Sequence, residues 1–223
     1  MERELLEASK GGDLQRVKEL LSYVSTGEIN PNVIDNNNRT PLYWAISRHN
    51  KDIVKELLLH GADPNILDDT GVNSLQYATY RGDLEIVKEI FAGPAEIDIN
   101  ALSADKRSAL YQASMCGHLE VVQELLRRGA DTNIVDTIGS TALYWASIFG
   151  YLDVIEELLW NGADPSIRDE DDESSLDAAL EEGMSKVVEI LEEYFPSLRM
   201  LSMRSIRHHR IDITEIPQTL TEK

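Results

Sequence analysis

Two acidic motifs are the first places where this chain could do chemistry. Asp69-Thr70-Gly71 has the residue order of the triplet that supplies a carboxylate in acid proteolysis, but it occurs once, and that chemistry needs a second carboxylate to share the proton. Asp169, Asp171 and Glu173 alternate like the first ligands of a calcium loop. The sixth position, however, is Ser174, where the sharp turn of such a loop requires glycine. We therefore expect both motifs to be solvated turns.

Nucleophilic and metal-binding residue types are equally sparse. Cys116 is the single cysteine, and no histidine or basic residue stands directly beside it to lower the pKa of its thiol. His208 and His209 are adjacent, so on a helix they point about 100° apart and are poorly placed to bind one metal. The sequence contains no glycine-rich phosphate loop and no nucleophile elbow. It therefore predicts a protein that is not an enzyme and that uses no metal and no cofactor.

Charge and composition limit the partners. The 223 residues include 21 lysines and arginines against 40 aspartates and glutamates, which gives a net charge of −19. A negative field of that size repels phosphate backbones, so we expect no nucleic-acid partner. The acidic start Met1-Glu2-Arg3-Glu4 lacks the basic end of a signal peptide, and no run of about 18 apolar residues occurs, so we expect no membrane partner. With a single thiol, we expect a cytoplasmic location, the nucleus being the alternative.

A repeat of about 33 residues organises most of the chain. Each copy has a leucine, an alanine three residues later and a turn residue four residues after that, which predicts one face of a short helix and its end. The alanines are Ala8, Ala45, Ala78, Ala113, Ala146 and Ala179. A second apolar pattern follows in each copy, as over residues 119–126, and predicts a longer helix. Neither helix could bury its apolar face alone, so the copies must stack.

Two motifs within these copies resemble the ankyrin repeat. Thr40-Pro41-Leu42-Tyr43-Trp44-Ala45 is similar to the family's T-P-L-H-x-A helix start, and Gly61-Ala62-Asp63-Pro64-Asn65 is similar to its G-A-D-x-N turn. The resemblance implies an all-α ankyrin-repeat solenoid of about six helix-turn-helix repeats, forming one domain over residues 1–195. His49 departs from the pattern, because the other copies have glycine at that position.

The resemblance also implies a binding surface. Ankyrin proteins hold protein partners on a concave face, at positions just before and after the first helix of each repeat, and loops on a rigid scaffold suit that role. Transferred to this chain, the candidate substrate-binding residues are Arg39, Arg48, Tyr80, Arg81, Arg107, Met115, Ile138, Ile148 and Phe149. Within this set, Tyr80, Met115, Ile148 and Phe149 occupy equivalent positions at the ends of the first helices in successive copies. We therefore expect an exposed apolar stripe flanked by arginines. The alternative is that these side chains pack inward.

The composition changes at Pro196. Residues 196–223 hold five basic and three acidic residues, whereas the repeats are strongly acidic. Pro196 can end the last repeat helix and Ser197 can cap a new one, and the apolar spacing that follows predicts an amphipathic helix of about twelve residues. So short a helix is marginal by itself, which favours a binding role. We therefore expect a separate segment over residues 196–223.

This segment resembles a SOCS box. Its first part is similar to the elongin-binding motif of that box and its second part to the cullin-contacting motif. The implied elongin-binding residues are Leu198, Leu201, Ser202 and Ile206, and the implied cullin-binding residues are Ile213, Ile216, Pro217 and Leu220. Ser202 stands where the family prefers cysteine, and the chain ends at Lys223, before the further apolar residues that the box usually has.

Ankyrin repeats followed by such a box are the layout of a family of substrate receptors for ubiquitin ligases. The resemblance implies a non-catalytic adaptor that binds an unknown protein substrate on the ankyrin concave face. Its tail would dock elongin B/C, and through it a cullin and a RING subunit. The alternative interpretation is a generic ankyrin protein-binding module, a scaffold or an inhibitor without a ligase role, whose tail covers the last repeat.

Overall fold

The computed structural model describes residues 1–194, which contain twelve α-helices in six pairs and no regular strand. The first helices of the pairs are α1 (Glu2–Gly11), α3 (Pro41–Ser47), α5 (Ser74–Tyr80), α7 (Ala109–Met115), α9 (Ala142–Phe149) and α11 (Ser175–Glu181). The second helices are α2 (Leu14–Leu21), α4 (Lys51–Leu59), α6 (Leu84–Ala92), α8 (Leu119–Arg127), α10 (Leu152–Trp160) and α12 (Ser185–Tyr194). From the second pair onward the first helix is the shorter one, as the repeat pattern predicted.

From α3 onward, each first helix begins at a polar residue that caps its N-terminus. The side-chain oxygen of the cap accepts a hydrogen bond from a backbone N–H of the first turn, which would otherwise lack a partner. The caps are Thr40, Asn73, Ser108, Thr141 and Ser174. Pro41 follows the first of these caps, at a position where its missing N–H is not needed by the helix. The short polar residue before each repeat leucine therefore sets where the helix begins.

A tight loop precedes each of these caps, and one polar side chain holds it together. Asp68 Oδ1 accepts hydrogen bonds from the backbone N–H groups of Thr70 (2.9 Å) and Val72 (3.1 Å). Asp169 Oδ1 accepts the equivalent pair, each at 3.0 Å. Asp35 and Asp136 repeat both bonds, and Ser103 makes the second of them. Both acidic motifs of the sequence lie in these loops, where a carboxylate closes the backbone turn.

The described helices fall into two compact units. The first runs from Met1 to Asp131 and contains α1 to α8; its first helices pack in the order α1, α3, α5, α7 and its second helices in the order α2, α4, α6, α8. The second unit begins at Thr132 and contains α9 to α12, with α9 against α11 and α10 against α12. Within each unit the first helices form one layer and the second helices form another.

The leucine and alanine of the repeat pattern lie in the cores of the two units. The leucines Leu5, Leu42, Leu75, Leu110, Leu143 and Leu176 are each at most 1% exposed. On the second helices, residues such as Ile53, Leu57 and Val87 are fully buried against them. Each large side chain buried in this way contributes about 1.5–3 kcal/mol relative to an exposed one. The inward face predicted from the periodicity is confirmed.

The predicted tail, residues 196–223, lies outside the described residues. The sequence-based elongin- and cullin-binding residues, from Leu198 to Leu220, therefore also lie outside them. Among residues 1–194, no helix has the length and apolar character needed to cross a membrane.

Candidate protein-binding surface

The first helices and loops of the first unit carry a group of aromatic rings and basic side chains, which we call the cationic face. It consists of Lys10, Arg39, Tyr43, Trp44, Arg48, Tyr77, Tyr80 and Arg81. These residues lie on α1, α3 and α5, at the ends of α3 and α5, and in the loop before α3. Contacts connect them across repeats: Lys10 and Arg39 lie over the Trp44 ring, Tyr43 stacks on Tyr77, and Arg48 bonds to the Lys10 carbonyl.

Trp44 makes several contacts at one end of the cationic face. Its Nε1 donates a hydrogen bond to Asp35 Oδ2 at 3.0 Å. Lys10 Nζ lies 4.5 Å from the centroid of the Trp44 ring, and Arg39 Cζ lies 5.6 Å from the same ring and 4.9 Å from the Tyr43 ring. Burial raises the pKa of Asp35, but hydrogen bonds from backbone N–H groups and from Trp44 outweigh it, so the net pKa is lowered. Asp35 is thus an anion that fixes the orientation of the Trp44 ring.

Two stacked tyrosines connect α3 to α5. The rings of Tyr43 and Tyr77 lie 4.4 Å apart at an angle of 21°. Burial raises the pKa of Tyr43, and its hydrogen bond with Tyr77 raises it further. Burial would also raise the pKa of Tyr77, but hydrogen bonds from Ser47 and Tyr43 and the nearby charge of Arg81 lower it overall. Tyr77 therefore acts as an acceptor in a network that orders this part of the surface.

The conformation and contacts of His49 explain why a histidine stands where the other repeats have glycine. Its φ is 55°, so it keeps the left-handed conformation that glycine adopts in the other copies. Its Nδ1 lies 2.7 Å from Asp83 Oδ2, and its Nε2 is hydrogen-bonded to Arg81. A neutral ring that donates from Nδ1 and accepts at Nε2 satisfies both partners. The histidine thus positions Arg81 on the cationic face.

A pocket of about 590 Å³ opens beside Trp44, between α1 and the loop over residues 33–36. Its lining is mixed, because it includes the acidic Glu2 and Glu7 as well as the basic Arg3 and Lys10. In residues 1–194, no group of three or more histidine, cysteine or acidic side chains is arranged to hold a metal ion. The surface is thus suited to polar and apolar contacts with a partner.

Four of the substrate-binding residues predicted from the sequence belong to the cationic face. They are Arg39, Arg48, Tyr80 and Arg81. Tyr80 is 49% exposed, and its backbone carbonyl is hydrogen-bonded to the ring of His118. Arg107 lies further along the same unit, with Cζ 5.4 Å from the Tyr111 ring, and Met115 is half-buried at the end of α7.

The remaining predicted residues belong to the second unit. Ile138 is 45% exposed in the loop before α9, and Phe149 is 47% exposed at the end of α9, while Ile148 is half-buried. The Phe149 ring stacks at 6.1 Å from Trp145 and lies 5.8 Å from Tyr151. Since the predicted apolar stripe draws on residues of both units, its continuity stays a prediction.

Three residues of the cationic face, Lys10, Tyr43 and Tyr77, were not predicted from the sequence as binding residues. The exposed apolar residues one position before each loop-closing side chain were also not predicted. In the first unit these are Ile34 (48% exposed), Leu67 (48%) and Leu102 (45%). Their recurrence at one register position of the repeat was a usable signal, because an apolar side chain in an otherwise polar turn is unusual.

The six helix pairs define the chain as an all-helical repeat protein of the binding-scaffold class. A family model described as ankyrin repeats (3 copies) matches residues 5–103, 75–169 and 110–198. These matches span most of the chain, which therefore belongs to the ankyrin-repeat family. The ankyrin-repeat fold is a non-enzymatic scaffold for protein–protein interaction.

Two solved structures are similar to this chain over most of its length. The crystal structure of EF0377, an ankyrin repeat protein, has a TM-score of 0.82 and 30% identity, and the match covers 87% of this chain and 98% of that chain. The ankyrin repeat domain of Bcl-3, a member of the IkappaB protein family, has a TM-score of 0.80 and 27% identity over 86% of this chain and 85% of that chain.

Proposed function

We propose that this chain is an ankyrin-repeat binding module that holds a protein partner on the cationic face of its first unit. The observation that carries the proposal is the cluster of aromatic rings and basic side chains, partly exposed and fixed by contacts within the fold. Tyrosine, tryptophan and arginine are the residue types that dominate binding energy at protein interfaces. Because the stacked rings and the His49 contact already order the side chains, little conformational freedom would be lost on binding.

The binding role is tested by affinity purification of the full chain from cells, with quantitative mass spectrometry. Partners of the cationic face should be lost when Tyr80→Ala and Arg81→Ala are combined. They should be retained with Lys88→Ala, which removes a basic side chain on α6 that is close to Glu85. An identical set of partners for all three proteins would contradict the proposed surface.

A finer proposal concerns what the module does for its partner. We infer that it is the substrate-recognition adaptor of an elongin B/C–cullin–RING ubiquitin ligase, with residues 1–195 as the ankyrin domain and residues 196–223 as the docking tail. The support is sequence order, because the elongin-like motif at 197–207 and the cullin-like motif at 213–220 follow directly on the repeats. The adaptor would act through proximity, raising the effective concentration of a substrate lysine near the ubiquitin thioester.

Co-expression with elongin B/C tests this adaptor role. The full chain should form a stable complex, and Leu198→Asp should abolish the complex without changing thermal unfolding, because the leucine would enter an apolar pocket of the partner. Arg199→Asp, a charge change at the neighbouring position, serves as the matched control. Retained binding by Leu198→Asp would remove the SOCS-box assignment.

The alternative is a binding module without a ligase role, in which the tail covers the last repeat. Deleting residues 196–223 distinguishes the two interpretations. A large fall in the free energy of unfolding favours a tail that packs on the repeats, and an unchanged free energy favours a tail that docks elsewhere. The cationic-face proposal holds under either outcome.

A further inference from the structure

Most basic side chains on the second helices of the first unit form ion pairs within the fold. Lys51 Nζ lies 2.8 Å from Glu85 Oε2, and Lys18 Nζ lies 3.2 Å from Glu56 Oε1. The cationic face differs, because no carboxylate oxygen of residues 1–194 lies within 4.0 Å of its four basic side chains. These four are Lys10, Arg39, Arg48 and Arg81.

The contacts that the four basic side chains do make include no close ion pair. Lys10 and Arg39 lie against aromatic rings, and Arg48 Nε donates to the backbone oxygen of Lys10 at 3.2 Å. Arg81 is hydrogen-bonded to the ring of His49 and also interacts with Tyr77, and the charge of Arg39 contributes to the lowered pKa of Asp35. The Nε of Arg39 is buried and has no hydrogen-bond acceptor within the described residues. A guanidinium presents several N–H donors in one plane, which matches the geometry of a carboxylate.

Two acidic side chains of this region are already engaged. Asp35 accepts two backbone N–H bonds and the Trp44 indole, and Asp83 caps α6 and binds His49. The acidic residues of the pocket, Glu2 and Glu7, lie on α1, at the opposite end of the face from Arg81. The positive charge that is left for a partner is therefore concentrated between Arg39 and Arg81.

We infer that the cationic face binds an acidic segment of its partner protein. Carboxylates of that segment pair with Arg39, Arg48 and Arg81, and one of its apolar side chains contacts Tyr80. This inference rests on the proposed binding role of the same face. The net charge of −19 would by itself repel an acidic segment and attract a basic one. The inference therefore depends on the local positive charge of the cationic face.

Peptide selection tests the inference, because the local and the global charge predict opposite results. The full chain is used to select binders from a random twelve-residue peptide library at about 0.15 M salt, where distant charges are largely screened. The enriched peptides should be more acidic than the starting library and should carry an aromatic or aliphatic residue. Raising the salt concentration should weaken their binding.

Point variants then assign the binding to the face. Arg39→Gln and Arg81→Gln should each weaken the enriched peptides roughly tenfold, since each removes a charge-assisted hydrogen bond. Lys88→Gln, on the other helix layer, should leave the affinity unchanged. Arg48→Gln is a second variant with little risk to folding, because its exposed side chain bonds only to the Lys10 carbonyl.

The outcomes separate this inference from the proposed function. Neutral or basic peptides that still depend on Tyr80 would overturn the acidic partner and leave the binding face in place. Peptides unaffected by every substitution on the face, or no enriched peptide, would overturn both. If the chain is a dimer in solution that Arg81→Gln dissociates, the occupant is a second copy, and the inference of an acidic partner segment is also wrong.

Discussion

Lys106 has a backbone conformation that suits glycine better than lysine. Its φ is 58°, and it holds the same place in its loop as Gly71 (φ 74°) and Gly139 (φ 85°). A side chain with a Cβ is strained in this region by about 1–2 kcal/mol, although glycine loses more freedom on folding. We therefore expect Lys106→Gly to raise the free energy of unfolding by about 0.5–1 kcal/mol in urea titrations. Lys106→Ala keeps the Cβ and should give no gain; an equal gain would contradict the backbone explanation.

Glu124 should make stability depend on pH at the acidic end of the range. It is 7% exposed on α8, with Oε1 2.6 Å from Arg128 Nε and Oε2 2.8 Å from Arg127 Nη2. Hydrogen bonds from Arg127 and Arg128 lower the pKa of Glu124 below its ordinary 4.5. The pair therefore stabilises the fold above that value, and the stabilisation is lost as the pH falls through the lower pKa of the folded state.

Comparing the wild type with Glu124→Gln checks this expectation. The variant should be less stable by about 1 kcal/mol at pH 7, because the charge-assisted bonds are replaced by weaker ones. The difference should shrink as the pH falls below the ordinary pKa of glutamate and the wild-type carboxylate becomes protonated. Glu120→Gln, an exposed position on the same helix, is the control and should show neither effect. A difference that is constant from pH 3 to pH 7 would exclude an ionic cause.

At the scale of elements, asparagines in the turns that follow several second helices connect one repeat to the next. Asn32 Nδ2 donates to the carbonyl of Gly61 at 3.1 Å, and its Oδ1 accepts from the N–H of Asp63 at 2.7 Å. In the second unit, Asn133 makes the same two bonds to the following turn. The side-chain amide therefore replaces water at two backbone groups of the neighbouring repeat, which is a structural reason for asparagine at this position.

Removing one of these connections should loosen the stacking of two repeats. Asn32→Ala removes the side-chain partner of one backbone donor and one backbone acceptor. Because these bonds are exposed or only partly buried, we expect a loss of about 0.5–1.5 kcal/mol in the free energy of unfolding. Hydrogen exchange at the Asp63 amide should also become faster. Asn37→Ala changes an exposed asparagine in the loop before α3 and should have little effect. Equal losses for the two variants would mean that the connection has no special role.

The helices were predictable from the sequence, whereas the details of the cationic face were not. The spacing of leucine and alanine and the polar caps determine a helix locally, so the helices of each repeat could be predicted from that repeat alone. The stacking of Tyr43 on Tyr77 and the contact of His49 with Arg81 depend on side chains that meet only when two repeats pack. Asp169 shows a second limit of sequence-based prediction. The alternation of Asp169, Asp171 and Glu173 is compatible with a cation site, but in the structure the Asp169 carboxylate binds backbone N–H groups of its own loop.

For the whole molecule, the distribution of charge matters more than its sum. A net charge of −19 opposes the close approach of two copies of the chain and weakens the folded state through self-repulsion. Ion pairs between second helices offset part of that repulsion in the first unit, as between Lys51 and Glu85. The basic residues of the cationic face take no part in this pairing. Their positive charge is therefore available to select a partner.

The two units should also differ in their capacity to fold alone. Repeat proteins are stabilised mainly by contacts between neighbours, and about three repeats are needed for a stable core. Residues 1–131 contain four helix pairs, and the second unit contains two in its described part. We expect the fragment 1–131 to be helical and to unfold cooperatively in urea, as followed by circular dichroism, while the fragment 132–223 should show little cooperative unfolding.

A core substitution in the longer fragment shows whether its transition reports the packed repeats. Leu75 is 1% exposed, so Leu75→Ala should lower the free energy of unfolding of fragment 1–131 by about 2–5 kcal/mol. Leu67→Ala removes a leucine that is 48% exposed in the preceding loop and should cost much less. A fragment 1–131 without cooperative unfolding would mean that the core of four pairs needs the remaining repeats. Cooperative unfolding of the shorter fragment would mean that two pairs suffice for a core in this chain.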